Sequence, residues 1–337
     1  MYKDGKGVAQ DYQAAMDWYL KAAEQKDPVG QRKVGALYYD GLGVTQSYST
    51  AMGWFLLAAE QGNLHAQRKI GLLYEHGQGV PQDYSMAMDW YRKAADQGDV
   101  AAHQNIGWLY ALGLGVPQDF GKAMKWYRKA ADQGNVIAQS TIGFLYQQGL
   151  GVPQDYGKAR EWYRKAADQG DADSQCNIGN LYHLGLGVPQ DSGKAVEWYQ
   201  KAADQGNVIA QCNIGDLYHL GQGVPQDDRK AMELYRKAAD QGYAIAQSNI
   251  GDLYDIGLGV PQDDAQAVKW FRKAAGQGHA ICQFNLGNMY YHGRGVPEDK
   301  AMALEWYKKA ADQGTEEAQE MIALLEQQGN SATEEKN

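Results

Sequence analysis

Apolar residues return along this chain at three- and four-residue steps, in short blocks broken by glycine and polar clusters. In one block Ala123, Trp126, Tyr127 and Ala130 fall on one helical face, with Asp119 ahead of them as an N-cap and Gly134 behind them as a left-handed stop. After a short turn a second block follows: Ala138, Ile142, Leu145 and Tyr146, closed by Gly149. The spacing predicts two antiparallel helices, A then B. The link from Gly149 to Asp155 leads to the next pair, its glycines permitting the reversal and Pro153 blocking helix continuation.

The pair of blocks repeats. Tryptophan stands at Trp18, Trp54, Trp90, Trp126, Trp162, Trp198, Trp270 and Trp306, a period of thirty-six residues with Leu234 in the intervening slot. Self-similarity at this length predicts an all-α fold, an α/α superhelix (solenoid) of about nine 36-residue helix-turn-helix repeats that bury one continuous core as a single elongated domain. The repeats are assigned to residues 9–329. Residues 1–8 match the segment Tyr38–Val44 inside a repeat and are taken as the remnant of a preceding one, while the polar residues 330–337 are expected to be a disordered tail. Glu326 in a tyrosine slot is the polar replacement that a terminal cap needs.

Helix B carries glycine in a fixed slot, as at Gly71, Gly143 and Gly215, although glycine within a helix costs roughly 1 kcal/mol relative to alanine. A cost repeated in every pair requires a steric reason. The expectation is a close approach of the helix B backbone to its neighbour, with Trp and Tyr packed around it as core and not as a stacking platform for bases or sugars.

The segments Ala-x-x-Trp-Tyr-x-Lys-Ala-Ala, Ala-Gln-x-x-Ile/Leu-Gly-x-Leu-Tyr and Gly-x-Gly-Val resemble the Sel1-like repeats, relatives of the tetratricopeptide repeats with a longer unit and a Gly-rich loop. The resemblance covers nearly all of the chain. It implies a right-handed α-superhelix whose concave face binds proteins or peptides in adaptor, assembly and signalling roles. A secreted branch of the family joins its helix pairs with disulfides and is linked to cell-wall components or β-lactam chemistry. Cys176, Cys212 and Cys282 do not supply that pairing.

Composition narrows the partners. With 32 basic and 41 acidic residues the net charge is -9, and no basic tract interleaved with aromatics occurs, which argues against nucleic acid and anionic membranes. No apolar run is long enough to span a bilayer, and Met1–Gly5 has none of the regions of a secretory signal. Three cysteines do not make a disulfide framework, so the expectation is a cytoplasmic monomer.

Reactive centres are not apparent. Cys176 and His183, like Cys212 and His219, sit seven residues apart, a rise of about 10 Å along a helix, whereas zinc ligands lie about 2.3 Å from the metal. Gly-Leu-Gly-Val-Pro at 113–117 has no preceding strand and no Lys-Ser/Thr ending, so it is a turn and not a phosphate loop. The histidines are scattered without a nucleophile beside them. Neither cofactor nor metal is expected. The function read from this is a non-enzymatic scaffold binding another protein or an extended peptide; the alternative is a cell-wall-associated hydrolase or carbohydrate-binding protein.

The repeats differ most just after the helix B glycine, where Ala36, Leu72, Trp108 and Phe144 give way to Asn180, Asp216, Asp252 and Asn288. Four residues earlier the column reads Arg32, Arg68, Gln104, Ser140, Cys176 and Cys212. Positions four apart share a helix face, so the two columns form one variable stripe, with Leu72, Trp108, Phe144, Asp216 and Asp252 as candidate contacts. Neutral drift of a solvent face is the competing explanation. On helix A, Arg92, Arg128, Arg164, Arg236 and Arg272 recur, and such a row can hold carboxylates of an acidic peptide through bidentate contacts.

Overall fold

The computed structural model describes residues 9–334; the expected remnant at 1–8 and the final residues 335–337 lie outside the described residues. Where the sequence predicts one uninterrupted array, the chain divides after Gln169 into two compact units, here called the first and second halves. No sequence signal marks that division, because Asp168-Gln169-Gly170 is the same turn as Asp132-Gln133-Gly134.

The first half holds α1 (Tyr12–Glu24), α2 (Pro28–Asp40), α3 (Tyr48–Glu60), α4 (Leu64–His76), α5 (Tyr84–Ala95), α6 (Val100–Leu112), α7 (Phe120–Ala131), α8 (Val136–Gln148) and α9 (Tyr156–Ala167). The second half holds α10 (Ala172–Leu184), α11 (Ser192–Asp204), α12 (Val208–Leu220), α13 (Asp228–Asp240), α14 (Ala244–Ile256), α15 (Asp264–Gly276), α16 (Ala280–His292), α17 (Lys300–Ala311) and α18 (Glu316–Glu334). No strand occurs among the described residues. The backbone of α18 continues through Glu334, past Asn330 where the polar tail was expected to begin.

The helix ends follow the sequence signals. Asp119 accepts from the Lys122 N–H at 2.8 Å and starts α7, and Asn135 accepts from the Ala138 N–H at 2.8 Å and starts α8. Each satisfies one of the orphan donors of a first helical turn. Gly149 ends α8 at φ +70°, a left-handed conformation open to glycine at little cost, and its N–H donates to the Leu145 carbonyl.

Within each half a B helix packs on the A helix that follows it, and the contact is an aromatic ring laid on glycine. A Cβ added to Gly143 would stand 2.6 Å from the ring of Tyr163, and one added to Gly287 would stand 2.6 Å from Tyr307. That is the steric reason for glycine in this slot. Around the seat, Ala51, Phe55, Ala58, Ile70 and Leu73 form one core cluster in the first half, and Ala195, Tyr199, Ala202, Ile214 and Leu217 form one in the second.

One expectation needs correction. The fully buried aromatic is the residue after the tryptophan slot: Tyr91, Tyr163, Tyr199, Tyr235 (after Leu234) and Tyr307 are all sealed from solvent, while Trp198 is buried at 8 % exposure, Trp18 is 60 % exposed and Trp90, Trp126 and Trp270 are half-buried. Apart from Trp198, the tryptophans line the edge of the core, and lysines cover their outer faces, with Lys93 Nζ 3.9 Å from the Trp90 ring centre and Lys273 Nζ 3.8 Å from that of Trp270. Adjacent residues on a helix lie about 100° apart, so only one of the pair can point into the seat.

A polar ladder accompanies the rings. In the first half the buried Gln67 donates to the Ala59 carbonyl and accepts from Gln97 Nε2 at 2.8 Å. In the second half Gln211 and Gln247 do the same with Ala203 and Gln241, and with Ala239 and Gln277. Buried amides are tolerated where both ends are satisfied. The Ala-Gln motif therefore ties successive pairs together.

Candidate functional site

The packing decides which side chains remain available. All five helix A arginines lie on exposed faces. In the first half Arg92 Nη2 donates to the Tyr110 hydroxyl at 3.2 Å and Arg128 Nη2 to the Tyr146 hydroxyl at 2.6 Å. Arg164 instead donates from Nε to Asp168 at 2.8 Å. In the second half Arg236 and Arg272 donate to Tyr254 and Tyr290 at 2.7 and 2.8 Å. A guanidinium has five N–H donors, so a single phenol contact fixes the side chain and leaves a fork for a carboxylate.

The variable stripe behaves differently in the two halves. In the first, Leu72 and Trp108 are half-buried and Phe144 is 47 % exposed. In the second, the polar members face inward: Asp216 accepts from Tyr235 at 2.7 Å and from Asn249 at 3.0 Å, and Asn180 and Asn288 accept from Tyr199 and Tyr307. Burial pushes the Asp216 carboxyl above its ordinary value, and the Tyr235 hydrogen bond opposes it. Asp252 is pushed up to about 6, first by burial and then by Asp255. Asp216, Asn180 and Asn288 are engaged with the seat of the buried aromatic, so the polar residue in their slot follows an internal need, whereas Asp252 faces Phe271 and has no such partner. For Tyr91 and Tyr163 in the first half the same need is met one turn later on helix B, where Glu75 accepts from Tyr91 at 2.5 Å and Gln147 from Tyr163 at 2.8 Å.

An exposed row escaped the sequence analysis. Leu184, Leu220 and Ile256 end successive B helices in the second half and are 60 %, 58 % and 63 % exposed. Leu184 and Leu220 line one cavity of about 220 Å³ with Asn180, His183 and Tyr199. Ile256 lines the next, of about 120 Å³, with His219 and Asp252, and Asp216 borders both. The signal was present as an apolar residue immediately before the closing glycine, a place where helix periodicity alone does not say which side faces out.

Cys176, Cys212 and Cys282 are buried free thiols, and burial raises each to about 12, so they are held as thiols and not as nucleophilic thiolates. His219 meets Asp228 at 2.6 Å. Among the described residues no group of three or more His, Cys, Asp or Glu could hold a metal.

Paired helices seated ring on glycine, tied by a glutamine ladder and carrying the same outward side chains from one pair to the next, define an α-solenoid repeat protein. Its repeat is that of a known family. The Sel1 repeat model matches in consecutive segments from residues 1–27 through 280–315, each internal match opening at a B helix, and the chain belongs to the Sel1 repeat family. Among solved structures it is similar to a Sel1 repeat protein from Oxalobacter formigenes, at 35 % identity and a TM-score of 0.74 over 92 % of this chain and 90 % of that one. It is also similar to a protective antigen present in uropathogenic Escherichia coli strains displaying an SLR fold, at 35 % identity and a TM-score of 0.62 over 97 % of this chain and 78 % of that one. No curated protein matches the chain. Among the described residues no helix is long and apolar enough to cross a membrane.

Proposed function

We propose that this chain is a non-enzymatic scaffold that binds another protein or an extended peptide through side chains repeated from one helix pair to the next. The observation that carries this is the row Leu184, Leu220 and Ile256, left mostly in water at one slot of three successive repeats beside a line of cavities. Apolar surface buried against a partner is worth roughly 25 cal/mol per Å², and a repeated exposed row at a cavity rim is the kind of patch that marks an interaction site. Arginines pinned by tyrosine, Arg92 and Arg128 in the first half and Arg236 and Arg272 in the second, add recognition of acidic side chains. The formal charge of -9 opposes an acidic partner at long range, so that recognition acts through short guanidinium contacts. Buried free thiols support a reducing, cytoplasmic setting.

Panning a displayed random-peptide library against the purified chain tests this. The expected binders combine Leu, Ile or Phe with Asp or Glu. A Leu184→Ser, Leu220→Ser, Ile256→Ser variant is expected to lose them, and an Arg236→Ala, Arg272→Ala variant to retain only those without acidic residues. Enrichment of no sequence, or equal retention by both variants, contradicts the proposal, as does turnover of cell-wall fragments or β-lactams by the purified chain.

A further inference from the structure

Successive B helices of the second half are bridged along one shared face. Asn213 on α12 donates to Asn180 on α10 at 3.2 Å, Asn249 on α14 to Asp216 on α12 at 3.0 Å, and Asn285 on α16 to Asp252 on α14 at 3.5 Å. This polar ladder runs across the middle of the helices. Toward their C-terminal ends stands the exposed row Leu184, Leu220 and Ile256, and toward their N-terminal ends the exposed Ile209, Ile245 and Ile281. The eleven residues from Ile209 to Leu220 make about three turns, so both ends of α12 present their apolar residue on the same side, as Ile245 and Ile256 do on α14.

The ladder needs acceptors but not charge. Asn180 and Asn288 accept the Tyr199 and Tyr307 hydroxyls at 2.7 Å, as Asp216 accepts that of Tyr235, so an asparagine serves the seat as well as a carboxylate. Asp252 faces Phe271 and has no hydroxyl to accept at all. Both carboxylates are half-buried on the cavity walls, and burial pushes both up from their ordinary value. Among the described residues their hydrogen bonds come from neutral donors alone, Tyr235 and Asn249 to Asp216 and Asn285 to Asp252. A carboxylate offers about four lone-pair sites, so Asp252 keeps most of its accepting capacity. No lysine or arginine lines either cavity. Of the two histidines there, His219 is held by Asp228 at 2.6 Å and His183 Nδ1 has no hydrogen-bond partner. Arg294, just past the end of α16, is committed to Asp255 and Asp264. Two negative charges that the fold does not use thus stand between two exposed apolar rows.

We infer that this face docks a basic amphipathic segment of a partner protein, whose apolar side chains cover the two rows and whose Lys or Arg between them reaches Asp252 and Asp216 across the cavities. The inference rests on the reading of Leu184, Leu220 and Ile256 as an interaction surface, and it supplies the charge of what lies there. An uncharged apolar segment covers the rows but buries two carboxylates without a counter-charge, which is costly, and an acidic one adds repulsion. The net charge of -9 draws a basic segment from a distance. The helix A arginines proposed to meet acidic side chains do not line these cavities, so the two recognitions do not compete.

A random-peptide library panned against the full chain at pH 7.5 is sorted with the Leu184→Ser, Leu220→Ser, Ile256→Ser variant, and the peptides that this variant loses are synthesised and titrated by calorimetry. They are expected to carry Lys or Arg among their apolar residues and to bind at least roughly tenfold more weakly when that residue is replaced by Gln, the factor set by a hydrogen bond to a charged group. The Asp216→Asn, Asp252→Asn variant is expected to weaken them by a similar factor. Combining the two changes is expected to cost no more than either alone, as for groups that meet each other. Peptides that the serine variant retains are expected to bind the asparagine variant as they bind the wild type. Asparagine already fills this slot on α10 and α16, so the variant keeps the seat, and a melting temperature at or above that of the wild type checks its fold. Row-dependent peptides that lack Lys and Arg, or that bind the asparagine variant unchanged, overturn the inference and leave the docking surface in place. Absence of any row-dependent peptide overturns both.

Discussion

Asp252 occupies the slot of Asp216, but the aromatic seated over Gly251 is Phe271, which has no hydroxyl to offer it. What remains is Asn285 Nδ2 at 3.5 Å, and the carboxyl is pushed up to about 6. An exposed aspartate titrates near 4, so folding favours the protonated form: stability is fullest below about pH 4 and is lost as pH rises through about 6. Asp252→Asn is therefore expected to raise the melting temperature at pH 7.5, by an amount equivalent to roughly 1–3 kcal/mol, and to match the wild type at pH 4. A gain that persists unchanged at pH 4 contradicts this. Phe271→Tyr is expected to stabilise by about 1 kcal/mol at neutral pH by restoring the missing donor. His103 is a second local irregularity. It interrupts the glutamine ladder, and its Nδ1 is buried without a partner while the ring stacks on Trp126 at 5.6 Å. His103→Gln lets Gln133 close the ladder as Gln97 does with Gln67, and thermal denaturation is expected to show a gain of about 1 kcal/mol.

At the scale of helices, the ring-on-glycine seat sets the cost of substitution. Gly143→Leu drives a side chain into the Tyr163 ring and is expected to destabilise by about 3 kcal/mol or more, whereas Lys129→Ala loses an exposed lysine over Trp126 and is expected to cost well under 1 kcal/mol. Equal denaturation midpoints for the two variants contradict the seat. Helix pairs, their caps and the glycine slot were all legible in the sequence, because apolar spacing, Asp119 and Gly149 are local signals. The variable stripe was legible as a column and misleading as a surface. Asp216 reads as solvent-facing by type, and its partner Tyr235 stands nineteen residues on, in the next helix. Comparing repeats could have exposed the link, since Tyr91 and Tyr163 find their acceptors at Glu75 and Gln147 where the slot after glycine is apolar, and Tyr199, Tyr235 and Tyr307 at Asn180, Asp216 and Asn288 where it is polar. Tryptophan misled in the opposite way: both it and tyrosine lie on the apolar stripe, and periodicity does not rank neighbours.

At the scale of the whole molecule, helix pairs within each half are held by their neighbours through the same few contacts, the ring on glycine and the glutamine ladder. Such nearest-neighbour construction makes stability a sum over adjacent pairs, so damage stays local. Functional surfaces of the kind proposed need that property, since side chains on one pair can change without unfolding distant ones. Amide hydrogen exchange on the Gly143→Leu variant tests it most directly. Protection is expected to fall in α8 and α9, where Gly143 and Tyr163 meet, and to stay at the wild-type level in α13 to α16 of the second half. Uniform loss of protection across every helix would contradict a structure built from neighbour contacts alone.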